Sequence, residues 1–281
     1  MQKQLILVLF TCLISCDNGN LNTLADLPKA LNEASGIETT DYSDLIWMIN
    51  DSGNASKLFA VNEKGNIKKE LNINAENNDW EDLTSDDKGN IYIGDFGNNN
   101  NNRKNLTILK VSNYSLNNSG EVAVERILFK YPNQHKFPPK KKQLYFDCEA
   151  FFYHRDSLFL FTKSRAHNNF GQTSLYKIPA KLGNYIAQYT STFNTCSDMD
   201  CWITGADISK DGKNVVLLSP RSVWMFTDYK GTDFFSGTVT ELDLNQNSQK
   251  EGICFKNENT LYIVDEKAHG FDGNLYTLKL H

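Results

Sequence analysis

Histidine is scarce in this 281-residue chain, with five scattered copies and no CxxC or paired Cys/His spacing. That removes the ligand sets that hold zinc and other transition metals. GxSxG, the Walker loop and HExxH are absent too, so serine-nucleophile, nucleotide and zinc-protease chemistries have no support. Helical periodicity is nearly missing. Basic runs are limited to Lys140, Lys141 and Lys142, which follow two prolines and suit a solvated loop. After the first fifteen residues, no apolar run approaches the roughly twenty residues of a transmembrane helix.

Those fifteen residues, MQKQLILVLFTCLIS, pair one lysine with a short apolar stretch, as in a secretory signal. The stretch ends LISC, which resembles the bacterial lipobox and makes Cys16 a lipidation candidate; an ordinary signal peptide with an incidental cysteine is the alternative. The expected organisation is a signal peptide over 1–15 and one domain over 16–281. Cys16 would anchor that domain to a bacterial membrane, on the periplasmic or cell-surface side, with its body in water. Removing residues 1–15 takes one lysine, so the formal net charge of −5 becomes −6. An acidic chain disfavours nucleic acid, and a monomer is expected. Of the later cysteines, Cys196 and Cys201 bracket SDMD and are expected to pair. Cys148 and Cys254 sit in apolar strand patterns and are expected as buried thiols.

What the chain does have is a repeat. A small or acidic pair, an apolar residue, a polar turn and a strongly apolar strand recur from Ser35, Glu81, Glu149, Ala206 and Glu251. Each copy continues into another strand: KLFAVNE, LTILKVS, SLYKIPA, SVWMFTD or NLYTLKL. A fourth strand follows in IKKELNIN, VERILFKY, YIAQYTSTF and VTELDL, and the last copy runs out of chain. Four antiparallel strands repeated around a ring make a β-propeller, here all-β with five blades. LNTLADLPKAL, ahead of Ser35, is expected to supply the missing strand and close the ring. Five blades give about 53 residues each; six would give about 44, nearer the roughly 40–45 of a WD40 repeat. No sixth start is found.

In an antiparallel hairpin, the start of one strand and the end of the next share an edge. Asp79, Glu81 and Asp82 therefore share a face with Asp95, Asn98 and the asparagine run, while DDKGN is a plain turn on the opposite face. The same face collects Asp51, Lys163, Arg165, Arg221 and Glu266, with Arg103 at its rim. Innermost strands line the channel, so Glu81, Glu149 and Glu251 are expected at its mouth, with Asp207 on an equivalent strand. Like charges there need compensation. A Ca²⁺ ion bound by carboxylate and amide oxygens supplies it in one reading. Pairing with Lys163, Arg165 and Arg221 supplies it in another; in a third the glutamates cap backbone N–H groups and bridge blades. Trp47, Trp80, Trp202 and Trp224 are all expected in the core, with Trp80, flanked by acids at the rim, the one candidate to stack on a ligand instead.

NDSGN (50–54), NDWEDL (78–83), GDFGNN (94–99) with its arginine, DCEAFF with TKSR (147–165), ITGADIS (203–209) and KEGI (250–253) follow one another in order. This series resembles a family of secreted or lipid-anchored bacterial propeller proteins over nearly the whole mature chain. More distantly, the architecture is similar to lactonase/gluconolactonase-type and phytase-like propellers, in which a metal sits on the channel axis. Their complete ligand sets are not matched, so no catalytic residue carries over. Two functions follow as expectations. One is a binding module for a small anionic ligand or a protein partner; the other is a metal-dependent hydrolase of a phosphoester or lactone, with Glu81, Glu149 or Glu251 as general base.

Overall fold

The computed structural model of the chain describes residues 21–117, 120–246, 248–267 and 273–280. Residues 1–15 and Cys16, expected as a signal peptide and a lipidation site, lie outside them. Among the described residues are five sheets, short 3₁₀ turns and no α-helix. The innermost strands are Ala34–Thr40, Trp80–Ser85, Asp147–His154, Gly205–Ile208 and Lys250–Asn257. Each packs against the inner strand of the next blade, and the fifth packs against the first. The protein is a five-bladed β-propeller.

Blade three shows why the sequence folds this way. Its second strand, Ser157–Lys163, is buried throughout and apolar from Leu158 to Phe161 because both faces are covered. Leu158 and Leu160 pack toward blade two, while Phe159 and Phe161 pack toward blade four, as the strand period of two requires. One apolar cluster fills each of the five blade interfaces. A fully buried Phe or Leu contributes about 1.5–3 kcal/mol by leaving water. Outer strands, half exposed, alternate instead: Ile67–Ile73 buries only Leu71 and Ile73.

Close approach of the inner strands explains the glycine that follows the strand start in blades one and five, Gly36 and Gly252. A Cβ on Gly36 would come within 2.8 Å of the Leu83 backbone nitrogen. Blade one can therefore lie on blade two only with glycine there.

Closure comes from the N-terminus. Leu21–Asp26 pairs antiparallel with Asn274–Lys279, from Leu21 opposite Leu278 to Asp26 opposite Asn274. Two further strands tie neighbouring blades together. Glu121–Val122, from the blade-two sequence, adds in parallel to the outer edge of blade one. Gly183–Ile186, from the blade-three sequence, adds in parallel to that of blade two. Cys196 and Cys201 are joined in a disulfide, and Cys148 and Cys254 are buried thiols.

Candidate functional site

The glutamates reach the channel mouth through a repeated irregularity. In blade three Cys148 faces Thr162 and Ala150 faces Phe161, so Glu149 has no partner across the ladder. The same one-residue slip leaves out Ser35 between Ala34 and Gly36, and Glu251 between Lys250 and Gly252. Between Trp80 and Leu83 it sets two residues, Glu81 and Asp82, against the single residue Gly94. These are β-bulges, which redirect a side chain out of the sheet pattern. Blade four pairs regularly from Gly205 to Ile208 and puts no acid at this level.

Glu149 is neutralised within its own blade. Lys163 donates from Nζ to Glu149 Oε2 at 2.9 Å, and Arg165 Nη2 lies 3.3 Å from Oε1. Arg165 Nε also donates to Asp147 Oδ2 at 2.6 Å. Burial alone would lower the Lys163 pKa, but the charges of Glu149 and Glu251 outweigh it and hold the ammonium well charged. Trp202 covers both cations, its ring centre 5.1 Å from Lys163 Nζ and 4.7 Å from the Arg165 guanidinium carbon. It is delivered by the turn that the Cys196–Cys201 bond closes. Trp202 is thus the tryptophan of this face. Trp80, expected in the core with ligand stacking as its alternative, is fully buried between blades one and two, and its indole N–H is spent on the Glu76 carbonyl.

Beside this network lies an acidic group with no such partner. Asp51, Asp79 and Glu81 each present a carboxylate oxygen within 4.8 Å of the other two. Asn77 sets the geometry, donating from Nδ2 to the carbonyls of Asn50 and Asp51 and accepting the Trp80 N–H through Oδ1. Gly97 closes the back: a Cβ there would lie 2.0 Å from Glu81 Oε1 and 2.6 Å from Asp79 Oδ2, so a larger residue would displace these two carboxylates. Glu81 is 7% exposed, and among the described residues it accepts no hydrogen bond and joins no ion pair. Burial first, then the charges of Glu149, Asp51 and Asp79, push its pKa well above the carboxylate range. Burial and Asp51 lift Asp79 to about 6. Glu266, at the blade-five exit, is lifted to about 8 by burial and then by Glu251 and Asp51. Half-buried Glu251 is also raised, by burial, with Lys163 opposing.

Several expected ligand residues turn out to be braces. Asp95 accepts from Asn78 Nδ2, the Asp79 N–H and Arg103 Nη2. Arg103 also donates to the Gly97 carbonyl, so it clamps the exit loop instead of reaching over the rim. Asn98 donates its N–H to Asp147 Oδ1 and its amide to the Phe146 carbonyl, joining blades two and three. Asn101, with φ at 52°, holds the same junction by accepting the Phe146 N–H. Arg221 is exposed in its turn and joins no ion pair among the described residues. Asp82 and Asp207 lie deeper in the channel. Asp82 accepts the Phe151 N–H and Asp207 the Phe255 N–H, each bracing its blade to the next. Between them sits Glu38, which sequence reasoning missed; Asp147 and Asn77 were missed too.

No family model matches the sequence, and no curated protein matches it. Solved structures do share the fold. A PQQ-bound aldose sugar dehydrogenase from Streptomyces coelicolor superposes with a TM-score of 0.55 at 11% identity, covering 92% of this chain and 97% of its own. A gluconolactonase from Xanthomonas campestris gives 0.54 at 11% identity, over 93% and 89%. At that identity the likeness establishes the propeller architecture and nothing finer.

Proposed function

We propose that this face is a ligand-binding site organised by a divalent cation on Asp51, Asp79 and Glu81. The observation that carries the proposal is Glu81, a buried carboxylate that lies within 4.8 Å of two more and has no donor of its own among the described residues. Such an arrangement is costly unless a cation completes it. An all-oxygen donor set suits Ca²⁺, which takes six to eight oxygens and leaves positions for water and ligand. The charged edge of Arg165 lies near, so a small anion, phosphorylated or carboxylated, would bridge metal and guanidinium.

Propellers host binding and hydrolysis alike, a gluconolactonase among the fold neighbours. Binding is favoured here because, of the three candidate general bases, Glu149 is held by Lys163 and Arg165 and Glu81 is given to the cation, which leaves Glu251 alone. The same reading keeps the domain outside the cytoplasm on a lipidated Cys16. A Cys196–Cys201 bond is in keeping with that compartment.

Metal analysis of the purified mature chain, before and after chelation, tests this directly. One Ca²⁺ per chain is expected, with a stabilisation that follows RT ln(1 + [L]/Kd), about 2.7 kcal/mol at a hundredfold excess. A wild-type protein indifferent to Ca²⁺ removes the cation and the proposal with it.

A further inference from the structure

Lysine is almost never fully buried unless an acid accompanies it. Lys250, which opens the innermost strand of blade five, is 0% exposed and joins no ion pair among the described residues. Its side chain donates to two oxygens that carry no charge, the Ser248 hydroxyl at 2.8 Å and the Gln246 carbonyl at 3.2 Å. The ring of Tyr276 is a third neighbour, its centre 5.7 Å from Nζ. From blade four, the Thr204 hydroxyl donates to the Lys250 carbonyl and brings no charge either. A well-packed leucine or methionine would fill such a place at less cost. Packing alone gives no reason for a lysine.

Burial pulls the pKa of this amine down to about 8, with the charge of Asp265 opposing. A group in that range can accept a proton near neutral pH.

Ser248 carries the buried amine to the surface. Lys250 is closed off, whereas Ser248 is only half-buried. Its Oγ accepts from Lys250 Nζ and donates to Asp265 Oδ2 at 2.6 Å. Asp265 is fixed in turn: Tyr276 donates to the same Oδ2 at 2.7 Å, and the Asn274 N–H to Oδ1 at 2.7 Å. A nucleophile within reach of a base, with the base oriented by a third group, is the geometry that activates a serine. Here the third group is the Gln246 carbonyl, and a lysine base is one variant of the arrangement. No GxSxG surrounds Ser248, since the pair meets Asp265 and Tyr276 only through the strand pairing of blade five.

We infer that Ser248 is a nucleophile for small carboxylic esters, with Lys250 as its general base. Neutral Lys250 takes the Oγ proton as Oγ bonds to the ester carbonyl carbon. The C–O bond to the alcohol then breaks, and the alcohol leaves with that proton. Water attacks the acyl-serine and gives one proton to the same amine; the acid departs as Ser248 recovers it. The site shares no residue with the Asp51–Asp79–Glu81 group and does not depend on the cation proposed there.

A fluorophosphonate probe tests this, since attack by an activated serine releases fluoride and leaves a stable adduct. The mature protein is treated in chelator, so that the other site plays no part, and the adduct is located by mass spectrometry of peptides. Labelling of Ser248 is expected. Ser248→Ala should abolish it, and Lys250→Met should slow it on the order of a hundredfold, the low end for loss of a general base. No adduct on Ser248, or an adduct formed as fast in folded Lys250→Met, would overturn the inference. Should Lys250→Met fail to fold, 4-nitrophenyl acetate decides between wild type and Ser248→Ala. A burst of nitrophenolate that Ser248→Ala loses is expected; equal time courses in the two would overturn the inference.

Discussion

Two groups of acids share one face of this propeller, a single blade apart, and are treated oppositely. Asp147 and Glu149 carry Arg165 and Lys163 on top of them, with Trp202 covering the cations. Asp51, Asp79 and Glu81 carry nothing comparable among the described residues. Both groups are fixed by the same device, a bulge at the start of an inner strand. Where the bulge is followed by TKSR on the second strand, charge is cancelled within the chain. Where it is followed by GDFG, the exit residue Asp95 is consumed by Arg103 and the bulged glutamate is left over. Internal pairing therefore accounts for one half of the face and not for the other.

The largest expected effect probes the paired half. Glu149→Gln leaves the Lys163 ammonium buried against a neutral amide and strips Arg165 of one of its two acids. Losing one member of a buried ion pair costs about 3–5 kcal/mol. Urea denaturation should show that loss with chelator or with Ca²⁺ alike. A change below about 1 kcal/mol would mean that the two halves do not differ in the way the distances indicate.

Proton linkage separates the halves next. Asp79 and Glu266 have pKa values raised in the folded state, from 3.8 to about 6 and from 4.5 to about 8. The folded chain thus holds protons that the unfolded chain has released in those windows. Without metal, stability from these groups is full at low pH and declines as pH climbs through them. A cation binds the deprotonated forms, so its stabilisation must grow over the same range. Scanning calorimetry with and without Ca²⁺ should show a gap that is small near pH 5 and large near pH 8. A gap constant with pH would place the cation elsewhere.

How much of this was legible follows the range of the interactions. Blade number, strand order and N-terminal closure stand in local pattern, because each hairpin repeats apolar strands and polar turns. The acid face stood there as well, since hairpin geometry fixes which ends share an edge. The bulges did not: one extra residue leaves the hydrophobic alternation readable in either register. Nor did the bracing roles of Asn98 and Asn101, whose partners Asp147 and Phe146 lie more than forty positions away. Trp80 lies between Asp79 and Glu81 and Trp202 two positions after Asp200, and only packing tells the buried one from the cover of an ion pair. Glu38 was hidden by the polar residues that follow it, where IETTD looks like a strand running into a turn.

The smallest effect expected is also the sharpest, because its sign is opposite to that of Glu149→Gln. Glu81 has no donor to lose among the described residues, so replacing it with Gln removes a burdened carboxylate instead of breaking a pair. In chelator the wild type must keep Glu81 protonated, or bear its charge beside Asp51 and Asp79, and that cost rises with pH. Gln bears neither. The variant should therefore be more stable than wild type near pH 8 by on the order of 1 kcal/mol, roughly 2–4 °C in Tm at this chain length. Near pH 5 the difference should shrink toward zero, since most of the cost has gone. Adding Ca²⁺ at pH 8 should then reverse the order, the wild type gaining and the variant gaining less. A Glu81→Gln protein less stable than wild type in chelator would show that Glu81 has a partner after all, and the two halves of the face would be alike.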